Sequence, residues 1–239
     1  MQPTDIFLTA EWRHLAMLNF EVDPVLLRSR VPPGTELDLW HGKALVSVVG
    51  FMFLNARVLG LSVPFHENFE EVNLRFYVRR KAPDGDRRGV TFVKELVPRG
   101  AIAFVARTLY NENYAALPMQ NAVSTSGTGI TARYAWQLAK RWNFLNARGS
   151  GAPMPAQSGS EGEFITEHYW GYARQRDGGC VEYRVEHPKW RVWEADDAVL
   201  DADVDATYGA EFSAALNARP TSAFIADGSE VKVYRGCRV

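Results

Sequence analysis

The sequence is short of cysteine, of charge of one sign and of long apolar runs, and each shortage excludes a class of protein. Only two cysteines occur, Cys180 and Cys237, without the spacing of a metal site, so we predict reduced thiols and no disulfide framework. The 27 basic and 28 acidic residues are interspersed, which leaves no basic patch for nucleic acid. The longest apolar run, residues 44–54, is too short for a transmembrane span. We therefore expect neither a nucleic-acid partner nor a membrane.

Chain length and the first residues set further limits. A chain of 239 residues suits one large domain or two small ones. We predict a single domain over residues 1–239, because a domain starting after residue 162 would lack a core of its own. Residues 149–162 are rich in Gly, Ser and Pro and predict a mobile surface loop. The first nine residues carry Asp5 and no basic residue, unlike a secretion signal, so the expected location is the cytoplasm. Assembly into a homo-oligomer is left open.

Apolar residues recur mostly at every second position, which is the period of a β-strand. The turn cluster Pro83-Asp84-Gly85-Asp86 separates two such segments and predicts a β-hairpin. Helical spacing is confined to short stretches at residues 23–31, 100–110 and 204–216. The predicted class is α+β with strands in the majority, not a doubly wound parallel sheet. The predicted strand segments are residues 12–20, 39–54, 71–79, 90–97, 130–144, 180–193 and 223–234.

Motifs that commonly indicate a cofactor or a metal lack their structural context here. Residues 127–132 match the alanine-ended dinucleotide fingerprint, but a strand period follows and no acidic residue stands about twenty positions on, so we predict a hairpin turn. His66, His168 and His187 each adjoin a glutamate. Neighbouring strand residues point to opposite faces and no pair has the spacing of metal ligands, so a metal site would require the fold to bring these histidines together. The alternative is one hydrogen-bonded histidine at each place. We therefore predict no cofactor and no metal site.

Three polar residues on one strand form the first candidate site. Glu71, Asn73 and Arg75 occupy alternate positions of an otherwise apolar segment. If the sheet curls around a cavity, all three face it, and the arginine can hold a carboxylate while the acid moves a proton. The alternative is a solvated outer face with cross-strand ion pairs. Lys94 and Glu95 on the partner strand carry the same two interpretations, and Lys94 could form a Schiff base only if it were desolvated.

His168 forms the second candidate site, within residues 164–172. Polar groups alternate there with large aromatic residues, as in a strand that lines a ligand site. Packing of aromatic side chains with satisfied polar tips accounts for the same pattern. Glu167 and Tyr169 belong to this candidate site.

Four blocks of the sequence resemble successive blocks of one known family. They are residues 9–15 (TAEWRHL), 64–78 (PFHENFEEVNLRFYV), 106–114 (ARTLYNENY) and 164–169 (FITEHY). In this order they resemble the YqjF-like family, domain of unknown function 2071, and the resemblance spans nearly the whole chain. It implies an acetoacetate-decarboxylase-like fold, in which a strongly bent antiparallel sheet forms a cone-shaped barrel around a cavity, with few helices.

The same resemblance raises and then removes an expectation about chemistry. In the decarboxylases of this fold, an arginine on a helix precedes a Gly-aromatic-Pro-Lys-Lys stretch whose lysine forms the Schiff base, and a glutamate on a strand assists. Arg107 is similar to that arginine and Glu71 to that glutamate. Residues 111–115 read Asn-Glu-Asn-Tyr-Ala, so the reactive amine is missing and Schiff-base decarboxylation is not expected.

Two hypotheses follow from these observations. The first is a small-molecule site inside the barrel for an anionic, keto-acid-like ligand, with Glu71 or His168 as the acid/base in chemistry of a lyase or hydrolase type. The second is a binding or sensor protein that uses the same cavity without turnover. A third, an interaction surface formed by Trp40, Trp190 and Trp193, requires those residues to be exposed. The residues predicted to line the cavity are Glu71, Asn73, Arg75, Glu95, Arg107, Tyr114, Glu167, His168 and Tyr169.

Overall fold

The computed structural model describes residues 5–62, 67–98 and 113–239, and most of these residues lie in strands. The predicted helix at residues 100–110 and the candidate residues His66 and Arg107 lie outside this part. The helical segments are α1 (Glu161–Thr166), α2 (Val204–Thr207) and α3 (Ser213–Leu216), with 3₁₀ turns at Pro24–Leu27 and Ala210–Phe212. The strands are β1 (Ile6–Val22), β2 (Glu36–Leu37), β3 (Ala44–Val58), β4 (Leu61–Ser62), β5 (Phe69–Ala82), β6 (Gly85–Val97), β7 (Tyr114–Ala116), β8 (Met119–Ser126), β9 (Gly129–Leu138), β10 (Arg141–Ser150), β11 (Met154–Pro155), β12 (Trp170–Arg174), β13 (Cys180–Glu186), β14 (Arg191–Glu194), β15 (Asp197–Asp201), β16 (Ser222–Tyr234) and β17 (Cys237–Arg238).

The long strands form one bent sheet that closes on itself. Its order around the ring is β16, β1, β3, β5, β6, β12 and β13, and β13 pairs again with β16. The closing contact is short, since only Val185 with Val233 and Glu186 with Lys232 form pairs there. Among the described strands of this ring, the neighbours are antiparallel except β6 and β12. The predicted strand-rich class with a strongly bent sheet is confirmed.

A second sheet packs on the outside of the ring. Its order is β15, β10, β9 and β8. Tyr134 and Trp136 of β9 join a buried cluster with Leu74 and Phe76 of β5. Gly50 of β3 permits the close approach, because a side chain there would meet the Tyr134 ring at 2.6 Å. One face of β5 is therefore used for packing against this sheet, and the opposite face is turned to the interior of the ring.

Bulges change which side chains face the interior. In β1 the pairing with β3 shifts between Arg13 and Ala16, and His14 has a positive φ of 56°. Strict alternation along the predicted strand at residues 12–20 would place Trp12 on the same face as Ala16, Leu18 and Phe20. Trp12 packs with the interior cluster, whereas the other three pack toward the second sheet.

A bulge in β6 has the same effect near the candidate site. Asn73 pairs with Glu95 and Leu74 with Lys94, but Arg75 pairs with Phe92, which leaves Val93 as the extra residue. Val93 packs toward the second sheet, while Phe92 and Glu95 both face the interior. Without the extra residue, strict alternation would turn Glu95 away from the interior.

The turns predicted from short stretches of sequence are confirmed. β5 ends at Ala82 and β6 begins at Gly85, so residues 83–84 form the hairpin turn. β8 and β9 are joined at residues 127–128, which makes the dinucleotide-like glycines a hairpin turn as predicted. Asp23 caps the 3₁₀ turn at Pro24–Leu27 by accepting from the Val25 N–H at 2.8 Å.

Within the described part of the chain, no helix combines the length and apolar character needed to cross a membrane.

The prediction of a strand over residues 164–169 is wrong. Glu161–Thr166 is the helix α1, and β12 begins only at Trp170. Ser160 caps the helix by accepting from the Glu163 N–H at 3.2 Å, and Glu163 accepts in return from the Gly159 N–H at 2.8 Å. This exchange is a variant of the capping box, whose Ser-x-x-Glu signature stands at residues 160–163. The helix places the segment that follows it against the interior of the ring.

Candidate functional site

The ring of strands lines a cavity of about 260 Å³. Its wall is largely apolar and is lined by aromatic residues from several strands, including Trp12, Phe51, Phe53, Phe92 and Trp190. Polar side chains enter from β5, β6, β7 and the segment after α1. A mostly apolar cavity with a few converging polar groups is typical of a small-molecule site.

The polar row of β5 faces this cavity. Glu71, Asn73 and Arg75 all line it, joined by Glu95 from β6. Glu71, Asn73 and Glu95 are each only 2% exposed. The alternative interpretation of a solvated outer face is therefore wrong for these residues. The opposite face of β5, with Val72, packs in the core, so β5 is buried on both sides.

Glu71 is a buried carboxyl held by two neutral donors. Its Oε1 accepts from Asn73 Nδ2 at 3.0 Å and its Oε2 accepts from the Tyr114 hydroxyl at 3.2 Å. Burial raises the pKa of Glu71 to about 7, although the two hydrogen bonds and the positive charge of Arg75 oppose the rise. Both protonation states are therefore populated at neutral pH, as general acid–base chemistry requires.

Arg75 lies near three titratable residues of the cavity, Glu71, His168 and His187. Its charge acts on Glu71 and disfavours protonation of His168 and His187. Its Nη2 donates to the Ile165 carbonyl at 3.3 Å and contacts Met17 Sδ at 3.8 Å. Its Nε is buried and has no hydrogen-bond partner among the described residues. Part of the guanidinium is thus positioned without a matching acceptor, which an anionic ligand would supply.

His168 lines the same cavity and is oriented by Asp38. Its Nε2 lies 3.4 Å from Asp38 Oδ2, and the same oxygen accepts from Arg88 Nε at 2.6 Å. Burial lowers the pKa of His168 to about 4 despite the nearby carboxylate. Burial acts to raise the pKa of Asp38, but the hydrogen bonds from His168 and Arg88 outweigh it and hold that pKa below its ordinary value. His168 is therefore neutral at pH 7, and within the described part of the chain its Nδ1 has no partner.

The remaining predicted residues divide into two groups. Tyr114 lines the cavity beside Glu71. Glu167 and Tyr169 are hydrogen-bonded to each other and do not line the described cavity wall. The Tyr169 ring instead packs on His187 with centroids 4.7 Å apart, and His187 stacks on Trp190 at 4.1 Å. Tyr169 is thus linked to the cavity wall through His187, and Glu167 through its hydrogen bond with Tyr169.

No lysine lines the cavity, and every lysine of the sequence belongs to the described part of the chain. Lys94 lies off the cavity and its Nζ is 3.5 Å from Asn113 Oδ1.

Both cysteines are free thiols. Within the described residues, no three His, Cys, Asp or Glu side chains are grouped to hold a metal ion.

Sequence reasoning missed several residues of the cavity. Asp38 lies between β2 and β3 and is 130 positions from His168, so no local pattern could pair them. Trp12 lines the cavity because of the bulge at His14, whereas strict alternation along β1 would turn it to the opposite face. Trp190, considered above for an exposed surface, is 4% exposed and lines the cavity. Trp40 packs on Phe164 with centroids 5.5 Å apart, and Trp40 and Trp193 are both half-buried. The predicted condition for an interaction surface, three exposed tryptophans, is not met.

The fold belongs to the acetoacetate-decarboxylase-like class. Acetoacetate decarboxylase from Legionella pneumophila matches all of this chain and 89% of its own, with a TM-score of 0.67 and 12% identity. An acetoacetate decarboxylase-like enzyme from Sphingomonas wittichii RW1 matches 99% of this chain and 94% of its own, with a TM-score of 0.66 and 13% identity. The enduracididine biosynthesis enzyme MppR complexed with pyruvate matches 98% of this chain and 91% of its own, with a TM-score of 0.66 and 13% identity. At such low identities the likeness concerns the fold alone.

Sequence comparison gives the family. The profile of DUF2071, described as an uncharacterized conserved protein, matches residues 9–230. The uncharacterized protein YqjF of Bacillus subtilis (strain 168) is 29% identical over 192 residues, which are 77% of this chain and 74% of that protein. The chain belongs to the DUF2071 family, as the four sequence blocks predict.

Proposed function

We propose that the cavity binds a small organic acid, with Arg75 holding the anionic group and Glu71 serving as the acid/base toward the bound ligand. The observation that carries this proposal is the presence of Arg75 and Glu71 on the same face of β5, inside a buried and largely apolar cavity. An arginine can bind a carboxylate through two hydrogen bonds, and their attraction is stronger where water is excluded. The pyruvate bound to MppR, which shares the fold, supports a keto acid as the ligand class.

The protonation state of Glu71 supports proton transfer as its role. With a pKa of about 7, the group is a carboxylate in part of the molecules and an acid in the rest. On a bound 2-oxo acid, the carboxylate takes a proton from the carbon next to the ketone, and the electrons of that C–H bond move to the ketone oxygen as an enolate. Glu71 then returns a proton to the carbon. His168, neutral and oriented by Asp38, is the alternative acid/base.

Hydrogen–deuterium exchange tests the proposed proton transfer. Pyruvate is incubated with the protein in D₂O, and loss of the methyl proton signal is followed by NMR. We expect faster exchange with wild-type protein than without protein. Glu71→Gln should retain binding and lose at least about tenfold of the exchange rate, since its side chain cannot accept the proton.

A matched pair of arginine variants tests the binding role. Arg75 and Arg79 lie on the same strand, but Arg79 pairs with Glu36 at 2.8 Å outside the cavity. Arg75→Met should weaken carboxylate binding at least about tenfold, whereas Arg79→Met should leave it unchanged. Equal affinities in the two variants, or the absence of binding by any acid, would contradict the proposal.

Binding without turnover is the second candidate function. The observation that favours it is the composition of the described cavity wall, which contains no lysine, cysteine or serine, the nucleophiles most used for covalent chemistry on a carbonyl group. Stabilisation of the protein by a carboxylate in a thermal-shift measurement, together with no exchange in D₂O, would support this candidate over the acid/base role.

A further inference from the structure

The cavity wall is divided into a polar side and an apolar side. Glu71, Asn73 and Arg75 of β5 and Glu95 of β6 form the polar side. The apolar side comes from Phe51 and Phe53 of β3, the strand next to β5, and from Trp12 of β1 and Trp190 just before β14. It lies toward the Phe69 end of β5, since Phe51 pairs with Glu71 and Phe53 with Phe69, whereas Arg75 stands at the other end of the polar row. A ligand that fills such a cavity has an anionic end and an apolar body.

The apolar side is a continuous aromatic surface. The ring of Trp12 lies 5.5 Å from that of Phe51, 5.8 Å from that of Phe53 and 6.4 Å from that of Trp190, each in an edge-on arrangement. Phe53 stacks on Phe69 at 4.6 Å. Aromatic walls at these spacings bind flat apolar groups through offset and edge-on contacts.

The size of the cavity exceeds what a short acid needs. A cavity of about 150 Å³ lined by apolar residues accommodates benzene. The cavity here measures about 260 Å³, so it holds a ring of that size and has space left for a short acidic chain. Pyruvate or acetate alone would leave the aromatic surface without a partner, which forfeits its contribution to binding.

From these three observations we propose that the ligand is a carboxylic acid whose acid group is joined by a short chain to an apolar group about the size of a phenyl ring. This inference rests on the proposed function and specifies its ligand. The carboxylate contacts Arg75, and the apolar group packs against Trp12, Phe51 and Phe53.

Matched ligand pairs separate this inference from the proposed function. Affinities are measured by calorimetry for propionate and 3-phenylpropionate, for pyruvate and phenylpyruvate, and for the neutral 3-phenylpropionamide. We expect each phenyl acid to bind at least about tenfold more tightly than its short counterpart. We expect the amide to bind at least about tenfold more weakly than 3-phenylpropionate.

Each other outcome has a definite meaning. Short acids that bind as tightly as phenyl acids overturn the inference and leave the proposed function standing. An amide that binds as tightly as the acid overturns the anionic role of Arg75. No binding by any compound overturns both.

A variant that fills the apolar side gives a second readout. Ala56 is 7% exposed and lines the cavity close to the end of β3. Ala56→Leu should weaken 3-phenylpropionate at least about tenfold and leave propionate unchanged. Val58→Phe, at the same end of β3, serves if Ala56→Leu does not fold, and equal effects on both ligands would contradict the inference.

Discussion

Asn73 Nδ2 donates to Glu71 Oε1 across 3.0 Å, and the two residues are separated by a single position on β5. The amide therefore orients the carboxyl from within the same strand. Because both side chains are buried, Glu71 has lost contact with water and is hydrogen-bonded to two neutral donors. Burial raises the pKa of Glu71 by more than these hydrogen bonds lower it.

The stability of the protein should depend on pH through Glu71. Its pKa rises from 4.5 to about 7 on folding, so between these values the folded protein holds a proton that the unfolded chain has released. The contribution of this group is fully present below about pH 4.5 and is lost as the pH rises to about 7. At about 1.4 kcal/mol per pKa unit, the loss amounts to a few kcal/mol.

Glu71→Gln should remove this dependence. Urea unfolding at pH 5, 6, 7 and 8 gives the free energy of unfolding of both proteins, and the difference between them should change with pH by about the amount above. Glu36→Gln, which removes an exposed glutamate, is the control. A pH-independent difference between wild type and Glu71→Gln would contradict the assignment.

His168 should remain neutral well below the pH at which free histidine takes up a proton. Burial lowers its pKa to about 4, whereas free histidine titrates near 6.5. Between pH 7.5 and 5.5 the ring signals of His168 in NMR spectra should not shift, while those of free histidine added to the sample should. The spectrum of His168→Gln identifies the signal, and a midpoint near pH 6.5 would count against the buried, unprotonated imidazole.

Two glycines with similar φ values should respond differently to substitution by alanine. Gly228 and Gly178 have φ values of +80° and +83°, but a Cβ on Gly228 would lie 1.9 Å from the Trp12 carbonyl oxygen, whereas Gly178 faces open space. Gly178→Ala should cost about 1 kcal/mol from the left-handed backbone alone. Gly228→Ala should cost at least about 2 kcal/mol more, because β1 and β16 must separate at this point. Chemical denaturation measures both, and equal losses would show that the strands yield there.

Treatment with acetoacetate and borohydride should label no lysine. Formation of a Schiff base needs an amine next to the bound ketone, and no lysine lines the cavity. Mass spectrometry after reduction should find unmodified protein, with a lysine-dependent acetoacetate decarboxylase as the positive control. A stable adduct on Lys94 or any other lysine would overturn this expectation.

Local patterns in the sequence were sufficient for the β5–β6 hairpin and its turn. The hairpin at residues 71–97 follows from apolar alternation on both sides of a turn cluster, and the structure has that hairpin. The face of β5 that meets the cavity could not be deduced in this way, because both faces are buried and periodicity does not distinguish two buried sides.

Long-range pairings and backbone irregularities account for what the sequence did not predict. Asp38 orients His168 from an irregular segment far away in the chain, a relation set by the fold alone. Alternating aromatic residues after residue 163 suggested a strand, whereas the capping box at Ser160 was the signal for the helix α1. The shift of Trp12 to the interior depends on one residue, His14, whose left-handed backbone no apolar pattern reveals.

The bulge at Val93 has a consequence for tracing this site through evolution. A sequence alignment of relatives that ignores this extra residue would place Lys94 in the position of Glu95. Lys94 lies off the cavity, whereas Glu95 lines it. The acidic residue of the cavity would then be compared at the wrong alignment position. Relatives with the same cavity residues would be classed as different.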